Sequence, residues 1–75
     1  MGKPITHKHI LENFGNRMQK IRQSKRITQE GLAGMLSMHR TYIGLIERGE
    51  RNPTVRTLYK IAKALEVKSS DLLPF

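Results

Sequence analysis

The sequence contains no cysteine, so no disulfide and no thiolate cluster can hold its fold, and zinc bound through sulfur is excluded. Stability must therefore come from packing, and from a partner subunit. No apolar run approaches the roughly 20 residues that span a bilayer. The opening Met1-Gly2-Lys3-Pro4 lacks the apolar stretch that a signal peptide carries after its charges. A soluble, unprocessed, cytoplasmic chain is expected. No segment alternates with period two, so strands are not expected, and internal repeats and low-complexity tracts are absent. Six acidic residues and three histidines provide no paired carboxylates and no activated nucleophile, and there is no glycine-rich phosphate loop. The nearest candidate pair, His39 and Glu47, stands about two helical turns apart, too far for direct contact. Neither an enzyme, nor a cofactor, nor a small-molecule ligand is expected.

What the chain does have is positive charge. Fourteen Lys and Arg face six Asp and Glu, a formal charge of +8 on 75 residues. That length is one domain, near the lower limit at which a single apolar core offsets chain entropy. Such a field attracts polyanions, with nucleic acid first and an anionic membrane or an acidic protein as rivals. Scattered lysines also serve solubility, so the charges decide little until they are tied to a docking geometry.

Residues 1–7 read as an arm, with Pro4, little apolar content and no period, and Lys3 and Lys8 within reach of phosphates. His7 and His9 are spaced like a metal pair, but no third ligand lies nearby and a frayed terminus holds ligands poorly, so no metal is expected. Residues 8–75 read as the folded domain. From Lys8 to Lys25, Leu11, Phe14, Met18 and Ile21 recur at helical spacing. Thr28 caps a second helix, Gln29 to Leu36, whose inner face is Leu32, Ala33 and Leu36 and whose stability Gly31 and Gly34 lower. A turn through Ser37 and Met38 leads to a third helix, Arg40 to Arg48, ended by Gly49. Thr54 caps a fourth, with Val55, Leu58, Ile61, Ala62 and Leu65 as its buried stripe. Ser69 or Ser70 caps a last turn, Asp71 to Leu73, before Pro74.

Projected at 100° per residue, Ile43 and Ile46 of the third helix fall together, with Thr41, Gly44, Leu45 and Arg48 opposite. A helix anchored on one side, with a narrow outer face of small, hydroxyl and arginine side chains, suits the DNA major groove. Arg40 carries the planar fork that bonds guanine O6 and N7 together. Thr41 offers a hydroxyl and a methyl, Leu45 an apolar contact, and Gly44 a close backbone approach. Tyr42, on the flank, suits a phosphate or the groove rim, or else helps to close the core. Gln29, at a helix N-terminus, favours a phosphate oxygen. Arg48, Arg51 and Asn52 follow the third helix, where positioning contacts to the sugar-phosphate backbone are expected, or else form a solvated basic loop.

Together Thr28-Gln29-Glu30-Gly31-Leu32-Ala33, Arg40-Thr41-Tyr42-Ile43, Ile46-Glu47-Arg48-Gly49, Asn52-Pro53-Thr54 and Ile61-Ala62-Lys63-Ala64-Leu65 resemble the phage-repressor-like (Xre, Cro-cI type) helix-turn-helix family. The resemblance covers about residues 11–73. The stretch from His39 to Asn52 looks most like the controller proteins of restriction-modification systems. It implies an all-α, five-helix, lambda-repressor-like domain and a transcriptional regulator bound as a symmetric dimer to a palindromic operator. It also implies Gln29, Arg40, Thr41, Tyr42, Arg48, Arg51 and Asn52 at DNA, and an internal ion pair between Arg22 and Glu47. Two departures are Ser37, where the turn usually has glycine, and Gly44, where a polar base-contacting side chain is common.

Val67, Leu72, Leu73 and Phe75 crowd the C-terminus of a chain too short to bury them all, which points to a homodimer interface there. Pairing would set two reading helices about 34 Å apart, matching successive major grooves. The rival of a different class is an antitoxin-type protein-binding module that regulates its own synthesis through the same fold. A membrane-surface role is not expected, because no helix shows a large exposed apolar face.

Overall fold

The structure, a computed structural model, describes residues 7–75, with side chains from His9 onward. The expected arm, with Lys3, lies outside the described residues except for His7, which opens the first helix; the side chains of His7 and Lys8 also lie outside them. Five helices follow in order: α1 (His7–Ser24), α2 (Gln29–Leu36), α3 (Arg40–Glu47), α4 (Val55–Leu65) and α5 (Ser69–Leu72). No strand occurs among the described residues, and no helix of theirs is long and apolar enough to cross a membrane. The all-α, five-helix architecture is the one expected.

Each boundary has a local cause. Thr28 Oγ1 accepts from Gly31 N at 2.9 Å, and Thr54 Oγ1 accepts from Thr57 N at 3.1 Å, each satisfying a first-turn donor that the helix leaves unpaired. The cap of α3 is His39, whose ring Nδ1 accepts from Thr41 N at 3.1 Å. α3 ends at Glu47, and Gly49 turns the chain away with φ of +77°. α2 ends on Ser37 with φ of +54°, so serine adopts the left-handed turn in which glycine costs nothing. α5 starts at Ser69 rather than Asp71. Its first turn is closed by the Asp71 carboxylate accepting from Lys68 N at 3.0 Å, not by a serine hydroxyl.

α3 packs against α1 and α2, α4 lies against α2, and α5 bridges α1 and α4. Met18, Leu32, Ile43, Ile46, Ile61, Leu65 and Leu72 are fully buried where these helices meet. At about 1.5–3 kcal/mol for each large apolar side chain removed from water, this cluster is what the four-residue α5 and the glycine-bearing α2 rely on. Two expectations change here. Val55 is 82% exposed: as the first residue of α4 it stands beyond the end of the core. Leu72, read as a dimer contact, is wholly inside the monomer, because α5 folds back between α1 and α4.

Gly15 sets the distance between α1 and α3. A Cβ there would fall on the carbonyl oxygen of Glu47 and lie 2.7 Å from its carbonyl carbon, so only glycine lets the two backbones meet.

Candidate nucleic-acid interface

α3 presents two opposite chemistries. Ile43 and Ile46 are completely buried, while Arg40, Thr41 and Arg48 are exposed on the other side. The inner side is fixed by an ion pair: Arg22 Nε donates to Glu47 Oε2 at 2.7 Å and Nη2 to Oε1 at 3.1 Å, with both residues buried. Arg22 Nη1 also donates to the Ile27 carbonyl at 2.8 Å, which pins the connection between α1 and α2. Glu47 Oε1 takes a further bond from Gln29 Nε2 at 3.0 Å. One carboxylate thus joins α1, α2 and α3, and no buried side-chain polar atom among the described residues lacks a partner.

Arg40 projects from the start of α3, 3.9 Å from Glu30 in a pair so exposed that it constrains the guanidinium little. Thr41 is exposed, and Leu45 is half-buried outside the core cluster. Tyr42 is half-buried and packs on the core, so its ring helps to close the body as well as flanking the outer face. Arg48 caps α3 and its Nε donates to Glu50 Oε2 at 2.7 Å. Arg51 and Asn52 are exposed in the connection that follows.

Gly44 is buried, not open to a close backbone approach. Three residues along a helix turn the direction by about 60°, so Gly44 points beside Glu47, at the edge of the outer face towards α2. There Gln29 and Arg48 lie over it. Gln29 is itself drawn from the free end of α2 towards Glu47.

Of the C-terminal apolar residues, Phe75 is 80% exposed, while Val67 and Leu73 are half-buried and lean on the core. The apolar surface extends onto α4, where Val55 and Tyr59 are exposed one turn apart, with Tyr59 carrying Lys63 Nζ 5.9 Å from its ring centroid. The spacing of four between Val55 and Tyr59 is the sequence signal of this surface, and Val55 also fits the helical period of the buried stripe, which hides it.

The helix-turn-helix family model matches residues 18–72, which takes in α2, α3 and the turn between them. The chain belongs to the helix-turn-helix family. Within the family it is similar to the control protein C.BamHI of Bacillus amyloliquefaciens, at 49% identity over 63 residues, covering 83% of this chain and 78% of that protein. The crystal structure of the restriction-modification controller protein C.AhdI from Aeromonas hydrophila superposes with a TM-score of 0.81 at 36% identity, over 84% of this chain and 96% of that one. The controller protein C.Esp1396I, solved as a tetramer on its natural 35 base-pair operator, superposes with a TM-score of 0.71 at 45% identity, over 77% of this chain and 76% of that one. In helix-turn-helix terms, α2 and α3 are the motif, and the Arg22–Glu47 pair locks its second helix onto α1.

Proposed function

We propose that this helix-turn-helix chain is a sequence-specific, double-stranded DNA-binding regulator of transcription, working as the homodimeric controller of a restriction-modification system. It acts in the cytoplasm and catalyses no reaction. The observation that carries this reading is the division of α3 into a completely buried side, Ile43 and Ile46, and an outer side where Arg40, Thr41 and Arg48 stay accessible. An anchored helix of this width can enter a major groove without unfolding anything. The operator complex of C.Esp1396I supports the same use of the fold, as does the similarity to C.BamHI and C.AhdI.

Arg40 and Thr41 read base edges, Leu45 and Tyr42 contact the groove wall, and Arg51 and Asn52 hold the phosphate backbone. The dimer forms on the apolar surface of Val55, Tyr59, Val67, Leu73 and Phe75, and Leu72 supports it from within the monomer.

Selection of bound duplexes from a random pool tests this. Two inverted half-sites about one helical turn apart are expected. Recovery of unrelated sequences, or of none, contradicts it.

A further inference from the structure

We propose that Gly44 sets operator preference by leaving a notch in the outer face of α3, which Gln29 and Arg48 fill. The base pair opposite residue 44 is then read by these two side chains rather than by a side chain of position 44. This rests on the DNA-binding reading above.

The fold gives Gly44 no other reason to be glycine. It lies inside a helix, and the positive-φ glycine is Gly49. A glycine in a helix interior is a liability relative to alanine. Nor does a neighbouring backbone require it, in contrast to Gly15. The atoms nearest a Cβ at position 44 are side-chain ends: Arg48 Nη1 at 3.2 Å, Gln29 Oε1 at 3.7 Å and Gln29 Nε2 at 3.8 Å. What the missing side chain makes room for is therefore chiefly the Arg48 guanidinium from the end of α3, with the Gln29 amide from the start of α2 in ordinary contact beside it.

Gln29 is held there before DNA arrives, while Arg48 is paired in an exposed contact. Gln29 Nε2 donates one hydrogen to Glu47, which Arg22 fixes in turn, and Arg48 Nε donates to Glu50. Gln29 keeps its carbonyl oxygen and one N–H, the acceptor-donor pattern that matches adenine N6 and N7, and Arg48 keeps its terminal nitrogens, which match guanine O6 and N7. A purine is the preferred base at this position, and the ordering cost of Gln29 is already met.

The test uses the whole chain and the duplex that the parent protein selects from a random pool. Gly44→Ala is compared with Gly34→Ala, a helical glycine with nothing within 4 Å of an added Cβ. Both should raise the melting temperature. Gly44→Ala alone should weaken the selected duplex by about tenfold or more, leave binding to unrelated duplex within about twofold, and reselect a different base at one symmetric pair of positions. In an Arg48→Ala background the Gly44→Ala loss should largely vanish, because the added Cβ acts chiefly by displacing the Arg48 guanidinium that lies 3.2 Å away. Unchanged affinity and selection by Gly44→Ala overturns the proposal, as does a lowered melting temperature or a loss that persists in full without Arg48. If the parent protein selects no duplex, the DNA-binding reading itself falls.

Discussion

Arg22 and Glu47 meet across 25 residues of sequence in a buried two-point ion pair, 2.7 Å and 3.1 Å, that fixes the last turn of α1 to the end of α3. Removing one partner leaves an uncompensated buried charge, at a cost of about 3–5 kcal/mol. Small domains have a total stability of about 5–15 kcal/mol. Arg22→Ala and Glu47→Ala should each lower the urea midpoint severely or abolish the folded state at room temperature. The apolar pair Arg22→Met with Glu47→Leu should recover much of the loss. Circular dichroism across a urea series decides it, and single variants with parental midpoints would remove the pair from the account.

Gly15→Ala should destabilise although alanine favours helices. Its Cβ would strike the Glu47 carbonyl, so α1 must lift away from α3 and open the packing around Phe14 and Met18. Overpacking of this kind costs about 1–3 kcal/mol or more. Gly34→Ala, in open space, should gain about 0.5–1 kcal/mol. Thermal melts of the two variants should move in opposite directions; movement together would mean that the α1–α3 contact is looser than described.

Ser37→Gly should stabilise the domain by about 0.5–1 kcal/mol, since a left-handed backbone costs a non-glycine residue about 1–2 kcal/mol and part of that gain is offset by glycine's larger unfolded-state entropy. The Ser37 N–H bonds to Ala33 and Gly34 are unaffected by the change. A melting temperature at or below the parental value would show that serine carries no strain in the turn.

Tyr59→Asp places a charge in the exposed apolar surface of α4, where Tyr59 is 62% exposed. It should shift sedimentation equilibrium towards monomer by about tenfold or more and leave the melting of the monomer nearly unchanged, because the side chain lies outside the core. Leu72→Ala should instead unfold the monomer at a cost of about 2–5 kcal/mol. An undisturbed dimer in Tyr59→Asp would move the interface elsewhere.

Most of the architecture is legible in the sequence because it rests on local chemistry. Phe14, Met18, Ile43, Ile46, Ile61 and Leu65 recur at helical spacing and are all buried. Thr28, Thr54 and Gly49 mark boundaries through side-chain oxygens and a left-handed turn, which are properties of single residues. What pattern alone does not reveal depends on partners distant in sequence. Gly15 looks like any helical glycine until the Glu47 carbonyl is placed against it. Gly44 and Gln29 read as separate outward residues, yet the carboxylate of Glu47 draws Gln29 across the notch. Leu72 belongs to an apolar terminus in one dimension and to the core in three. His39 caps α3 with a ring nitrogen, a role usually sought in Ser, Thr, Asp or Asn.

The central claim is that the outer side of α3 enters the major groove, and purine N7 lies on the floor of that groove. Methylation interference on the selected duplex therefore tests it most directly. N7-methylguanine at two symmetric positions about one helical turn apart should block binding, and Arg40→Ala should make those positions indifferent to methylation. Binding that tolerates every N7 methyl group would place the protein on the backbone or in the minor groove, and would contradict the account.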